Sequence, residues 1–118
     1  MSTQSIDGGE LIPRPERTPQ ALRLAMARVA PHRLTEMEKA KEEAFEFAAE
    51  TGKIGHIHQW VAYWAAQVEI ERRPDLFLRR DRALEAVHRT TSREDSAFRP
   101  AMDELRSVDD EAARAVSE

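Results

Sequence analysis

The sequence predicts an all-α protein, a single small bundle of five helices, with a sixth left open. Three observations indicate this fold class. Apolar residues recur at helical spacing in several segments, proline and hydroxyl residues stand where helices would begin, and no segment shows the period-two alternation typical of a strand. The 118 residues are enough for one domain, which would bury roughly two-thirds of the surface that its unfolded chain exposes.

The helix predicted over residues 54–73 is the centre of this bundle, because it is the most apolar long segment of the chain. Its apolar residues lie at i, i+3, i+4, i+7 and i+11, on one stripe of an α-helix: Ile57, Trp60, Val61, Trp64 and Val68. The two tryptophans have large apolar surfaces and should point into the core. Tyr63 and Ile70 lie off this stripe, so we expect a second apolar face that contacts neighbouring helices or a partner.

Composition and capping residues predict the structure of the segments before the central helix. Residues 1–17 are rich in Ser, Gly, Pro and charge, which predicts a disordered N-terminal arm, with the helical domain over residues 18–118. Thr18 and Pro19 open the first helix, and Pro31 ends it. A capping-box pattern at residues 35–38 predicts that the second helix begins there and extends to about residue 51.

Further helices are predicted after the central one. Pro74 opens the fourth helix, with Asp75 in the first turn, where an acidic side chain interacts favourably with the helix dipole. Asp95 or Ser96 caps the fifth helix. A second capping pattern at residues 107–110 suggests a short sixth helix towards the C-terminus.

Composition excludes several functional classes. The chain has no cysteine, which excludes a disulfide scaffold, a cysteine zinc site and thiol chemistry. It lacks a charge-free apolar run long enough for a membrane span and the pattern of a secretory signal, so we expect a cytoplasmic protein. Charged residues make up 34% of the chain, but the net charge of −4 is not the basic balance of a general nucleic-acid binder.

The sequence gives little support for a metal-binding or catalytic site. His56 and His58 form an H-x-H pattern, but residues two apart diverge by about 200° around a helix and cannot face one metal ion. The serines stand in the N-terminal arm, at predicted caps and at the C-terminus, where capping already explains many of them. We therefore predict no catalytic, cofactor-binding or metal-binding residue and no enzyme, with a small metal-dependent helical-bundle enzyme kept as the second alternative.

Arginines concentrate around the predicted fourth helix and could form a nucleic-acid-binding face. The candidates are Arg72, Arg73, Arg79, Arg80, Arg82 and Arg89. Acidic residues at 75, 81 and 85 are placed for pairing at helical spacing, so a salt-bridged outer face is the commoner explanation. A DNA-associated transcriptional regulator that uses this basic segment is the first alternative function.

Glutamates at four-residue spacing form a row on the second helix: Glu38, Glu42, Glu46 and Glu50. Such a row is commonest on a solvated face, but it could also be an acidic docking strip for a basic partner. We expect this row, with Trp60, Tyr63 and Ile70 of the central helix, to form the contact with another protein.

Three blocks of the sequence carry a likeness to a known family: TPQALRLAMARVAPHRL, TEMEKAKEEA and WAAQVEIERRPDL. They resemble a family of small actinobacterial, Streptomyces-type proteins catalogued as a domain of unknown function, over about residues 18–80. The shared positions are helix caps and core residues, so the resemblance implies the helical fold and carries no catalytic residue across. Its members are similar in size to bacterial antitoxins.

The leading functional prediction is a small cytoplasmic protein-protein interaction module, an antitoxin-like or regulatory partner that acts by binding. Its partner is another protein, and homodimerisation is compatible with every alternative.

Overall fold

The computed structural model describes residues 9–117, and every helix of the bundle lies in that range. The five helices are α1 (Pro19–Val29), α2 (Leu34–Thr51), α3 (Gly55–Arg72), α4 (Pro74–Arg89) and α5 (Phe98–Ser117). A 3-10 turn over Pro31–Arg33 precedes α2. Over the described range there is no strand. The predicted all-α bundle is therefore confirmed.

Helix boundaries agree with the predicted caps only in part. The hydroxyl of Thr18 accepts a hydrogen bond from the Ala21 N–H at 3.2 Å, as expected of an N-cap ahead of Pro19. The capping box predicted for α2 is wrong, because that helix begins at Leu34, directly after the 3-10 turn, and has no side-chain cap. Thr35 thus lies inside the first turn.

The suggested sixth helix is not present, because α5 runs without a break through residues 107–110. The Ser107 hydroxyl accepts a hydrogen bond from Arg79 of α4 at 3.3 Å instead of capping a new helix. Contacts with α4 thus override a local capping pattern.

The core surrounds α3, as predicted for a central tryptophan helix. Trp60, Trp64 and Val68 pack in one apolar cluster with Leu22 and Met26 of α1. A second cluster holds the other side of α3 against α4 and α5: Ala66, Ile70, Leu76, Val108 and Ala112. Because neighbours lie on both sides, the C-terminal half of α3 is buried on nearly every face.

Residues 9–17 form an irregular, non-helical segment that lies against α3. The Leu11 N–H donates to the Arg72 carbonyl at 2.9 Å, and the Arg72 guanidinium donates to the Ile12 carbonyl at 2.9 Å. Arg14 forms an ion pair with Glu69 at 2.9 Å. The prediction of disorder is therefore corrected for residues 9–17, while residues 1–8 of the predicted arm lie outside the described residues.

The C-terminal half of α2 and the N-terminal half of α3 form a hairpin at one end of the bundle. Gly52 joins the two helices with a positive φ of 73°, and its N–H caps α2 by donating to the Ala48 carbonyl at 2.8 Å. Met37 is the buried residue of α2, and burial along α3 begins at Trp60. The hairpin therefore exposes apolar side chains that the rest of the bundle does not cover.

Candidate partner-binding groove

One stripe of α3 forms the floor of a groove, the α3 groove. The stripe comprises His56, Gln59, Tyr63, Gln67 and Glu71, spaced three or four residues apart. Fifteen residues separate its ends, which corresponds to about 22 Å of helix. The part of this stripe from His56 to Tyr63 is accessible to solvent, whereas Gln67 and Glu71 are buried beneath their hydrogen-bond partners from the neighbouring elements.

Two adjoining cavities make up the α3 groove. The first, of about 460 Å³, lies in the hairpin, and its α2 wall consists of Glu36, Ala40, Glu43, Ala44 and Phe47. The second, of about 470 Å³, lies at the other end, and its opposite wall comes from α4 and α5: Arg80, Leu84, Leu105 and Asp109. Glu36 and Tyr63 border both cavities, so the two join into one surface.

Exposed aromatic rings stand over the hairpin end of the groove. Phe47 is 54% exposed, and its ring stacks on His56 with the centroids 5.4 Å apart. Tyr63 is 53% exposed and meets the ring of Trp64 edge to face at 5.3 Å. Trp60 lies below them, with its indole N–H donating to the Met37 carbonyl at 3.2 Å. Exposed aromatic rings fixed by their neighbours are typical of protein-binding surfaces.

A network of charged side chains fixes the other end of the groove. Arg33 donates to Gln67 at 3.0 Å and to Glu71 at 3.1 Å, and it forms an ion pair with Glu36 at 3.3 Å. Arg80 donates to the same Glu71 carboxylate at 2.7 Å. Burial by itself would lower the pKa of Arg33, but its hydrogen bonds to Glu36 and Glu71 outweigh this effect and raise the pKa. The guanidinium therefore stays charged at any physiological pH.

The lining of the groove carries an excess of negative charge. Four carboxylates, from Glu36, Glu43, Glu71 and Asp109, face two guanidinium groups. Both guanidinium groups are already engaged by Glu71, as described above. The remaining acidic character favours a cationic ligand or partner.

The predicted glutamate row does not line the groove. Glu38 lies on the α1 side, where it forms ion pairs with Arg23 and Lys41. Residues four apart advance by about 40° around a helix, so the row drifts across the outer face of α2. Glu42, Glu46 and Glu50 are exposed there. The groove takes its acids from Glu36 and Glu43, which sequence reasoning did not select; their i, i+4, i+7 and i+11 spacing with Ala40 and Phe47 was the available signal.

The three residues predicted on the central helix have different positions. Tyr63 is exposed in the middle of the groove, as expected. Trp60 is 5% exposed and belongs to the groove base. The prediction that Ile70 contacts a partner is corrected, because Ile70 is 0% exposed and packs against α4 and α5. Its position off the tryptophan stripe places it in the second apolar cluster of the core and not on a free surface.

Most arginines of the predicted basic segment form ion pairs with carboxylates, and they do so at different places on the surface. Arg72 is buried against Glu69, with Nε to Oε1 at 2.9 Å, and cannot reach a phosphate group. Arg73 pairs with Asp75 and Glu69, Arg79 with Glu104 and Glu111, and Arg80 with Glu71. Arg89 lies 4.0 Å from Glu85 on an exposed face, and exposed Arg82 borders a shallow cavity between α4 and α5. The six arginines therefore do not form one continuous basic face.

The two histidines of the H-x-H pattern are on different sides of α3, His56 stacked on Phe47 and His58 exposed. Within residues 9–117 no group of three or more His, Asp or Glu side chains is arranged to hold a metal ion. In the same range, no helix combines the length and the apolar character needed to cross a membrane.

Comparison with protein-family models, with curated proteins and with solved structures finds no match for this chain. The resemblance to the actinobacterial family stays a prediction.

Proposed function

We propose that the protein is a small cytoplasmic protein-binding module, an antitoxin-like or regulatory partner, and that it binds through the α3 groove. The observation that carries the proposal is the pair of exposed aromatic rings, Phe47 and Tyr63, fixed over an open groove. Because neighbouring rings already hold these side chains, they lose little conformational entropy when a partner covers them.

The shape of the groove favours a protein over a small molecule. Sites for small ligands are concave and enclose most of the ligand, whereas this groove is long and open on one side. Its hairpin end presents aromatic side chains and its other end carries charged groups, so one surface offers both the apolar and the polar contacts of a protein interface.

Affinity capture tests the proposal. The immobilised protein is exposed to nuclease-treated lysate of the native host, and the retained proteins are identified and quantified by mass spectrometry. We expect one partner at near-stoichiometric yield, reduced at least tenfold by the double variant Phe47→Ala, Tyr63→Ala, because two such anchors together contribute more than the 1.4 kcal/mol that corresponds to tenfold.

Matched controls replace exposed leucines outside the groove. Leu24→Ala on α1 and Leu78→Ala on α4 remove similar exposed apolar surface and should leave capture unchanged. Circular dichroism checks that every variant keeps its helix content. A second pair of substitutions, Glu42→Ala and Glu46→Ala, should slow capture at low salt if the acidic row steers the partner.

If only the bait is recovered, or if the groove variant captures the partner as well as the wild type does, the proposal is wrong. The DNA-associated regulator would then lead, because Arg82 and Arg89 are exposed on α4. That alternative requires binding to duplex DNA whose logarithmic affinity falls steeply with the logarithm of the salt concentration.

A further inference from the structure

We infer that the partner binds as a basic amphipathic α-helix of about four turns, lying along the α3 groove. The inference rests on the proposed function, since it names the class of partner that this groove accepts. It follows from the length, the wall composition and the charge of the groove.

The groove has the dimensions of one helix. The stripe of α3 beneath it is about 22 Å long, with Arg33 and Arg80 lying over its last part, and this length matches about 15 residues of a bound helix. The α2 wall presents Ala40 and Ala44 between larger side chains. Small residues at these positions allow a helix to approach closely, as required for packing at an axis separation of about 8–10 Å.

Apolar anchor points line both cavities of the groove. Phe47 and Tyr63 are exposed on the hairpin side, and Leu84 and Leu105 line the wall formed by α4 and α5. An amphipathic helix that places apolar residues at i, i+3, i+4 and i+7 would contact both sides at once. An extended strand would find no partner there, because the backbone groups of a helix wall are already hydrogen-bonded within the helix.

The negative charge of the groove walls determines that the partner helix is basic. Glu43 stands at the hairpin end of the groove, and Asp109 stands in the wall of the other cavity. Neither of the two has an ion-pair partner among residues 9–117, whereas Arg33 and Arg80 are already paired. A bound helix with Lys or Arg towards both of its ends would meet these two carboxylates, while an acidic helix would be repelled.

An unbiased selection tests the class of partner. A phage library displaying random 16-residue peptides is selected on the wild-type protein after depletion on the variant Phe47→Ala, Tyr63→Glu. We expect the enriched peptides to carry net positive charge and apolar residues at helical spacing. The best peptide, synthesised with a fluorescent label, should become helical on binding, as measured by circular dichroism.

Fluorescence anisotropy locates the binding site of that peptide. Its Kd should rise at least tenfold with Tyr63→Ala and also with the double variant Glu43→Gln, Asp109→Asn. The control Leu78→Ala should leave the Kd within twofold of the wild type. Scrambling the peptide at constant charge should abolish binding, because charge without the apolar stripe does not fill the groove.

Three results would overturn the inference. The selection could enrich acidic peptides, peptides without helical spacing, or none beyond background. The scrambled peptide could bind as well as the original. Sedimentation velocity could also detect a dimer that Phe47→Ala, Tyr63→Ala dissociates, in which case a second copy occupies the groove. If lysate capture succeeds while the selection fails, the proposed function stands and only the helical partner is lost.

Discussion

Glu69 is the residue on which several parts of the fold converge. Its side chain is 0% exposed and accepts hydrogen bonds from three arginines, Arg14, Arg72 and Arg73, at 2.9–3.4 Å. Burial alone would raise the pKa of Glu69, but the hydrogen bonds from Arg14 and Arg72 outweigh it and lower the pKa to about 2. Arg72 and Arg73 lie at helical spacing from Glu69, but the burial of this carboxylate and its pairing with Arg14 depend on a segment 55 residues away, which a helical pattern does not predict.

We predict that stability depends on the charge of Glu69. Because the pKa is lowered on folding, the stabilisation is complete above about pH 4.5, the ordinary pKa of a glutamate, and is lost as the pH falls towards 2. The substitution Glu69→Gln should lower the free energy of unfolding by about 3 kcal/mol at pH 7, and the difference from the wild type should vanish near pH 2. Urea unfolding across this pH range measures both values.

The matched control for this experiment is Glu85→Gln. The Glu85 side chain is 67% exposed and lies 4.0 Å from Arg89, so the substitution should change the free energy of unfolding by less than about 0.5 kcal/mol. A loss below 1 kcal/mol for Glu69→Gln at pH 7, or a loss that does not depend on pH, would contradict the role of the buried carboxylate.

At the scale of elements, α3 has two halves with different surroundings. Residues from Trp60 to Arg72 include every buried position of this helix, enclosed by α1, α4, α5 and the segment 9–17. The N-terminal half, with its neighbour α2, forms the hairpin. Since α2 has a single buried residue, Met37, the tip of the hairpin has few apolar contacts to stabilise it.

This difference predicts local opening of the hairpin. Backbone amides of residues 42–58 should exchange with deuterium at least tenfold faster than those of residues 64–72, because regions with fewer buried apolar contacts open at lower free energy. Hydrogen exchange followed by mass spectrometry measures the two regions in one sample, so the C-terminal half of α3 is an internal control. Equal protection along the whole of α3 would contradict the prediction.

At the scale of the whole molecule, segment 9–17 covers the end of α3. It contributes two hydrogen bonds with Arg72 and the ion pair from Arg14 to Glu69. Arg17 also donates to the Val116 carbonyl at 3.3 Å, near the end of α5. Residues that carry no helical pattern therefore connect both ends of the described chain to the central helix.

Removing this segment should destabilise the fold. We expect deletion of residues 1–17 to lower the free energy of unfolding by about 2 kcal/mol, because the lost hydrogen bonds, worth about 1 kcal/mol each and more where charged, are partly offset by the conformational entropy that ordering residues 9–17 costs. For a domain of this size the loss corresponds to a fall in Tm of about 8 °C, measured by calorimetry. Deletion of residues 1–8 removes none of the described contacts and is the control. Equal Tm values for the two deletions would contradict a stabilising role for residues 9–17.

Local patterns by themselves determined the all-α fold, the number of main helices and the central position of the tryptophan helix. The apolar stripe of Trp60 and Trp64 follows from backbone periodicity, and Thr18 caps α1 through neighbours close in sequence. Such features depend on residues a few positions apart, which a single sequence contains in full.

Only the tertiary structure decided which surfaces are free. Ile70 and Tyr63 both lie off the tryptophan stripe, yet α4 and α5 cover the first and leave the second exposed. Likewise, the capping pattern at residues 107–110 does not start a new helix, because Ser107 accepts a hydrogen bond from Arg79 instead. Arg72 belongs to a buried ion-pair network and not to a basic face. Periodicity places a residue on a face of its helix, but the packing of helices distant in sequence decides whether that face belongs to the core, to an ion-pair network or to an exposed groove.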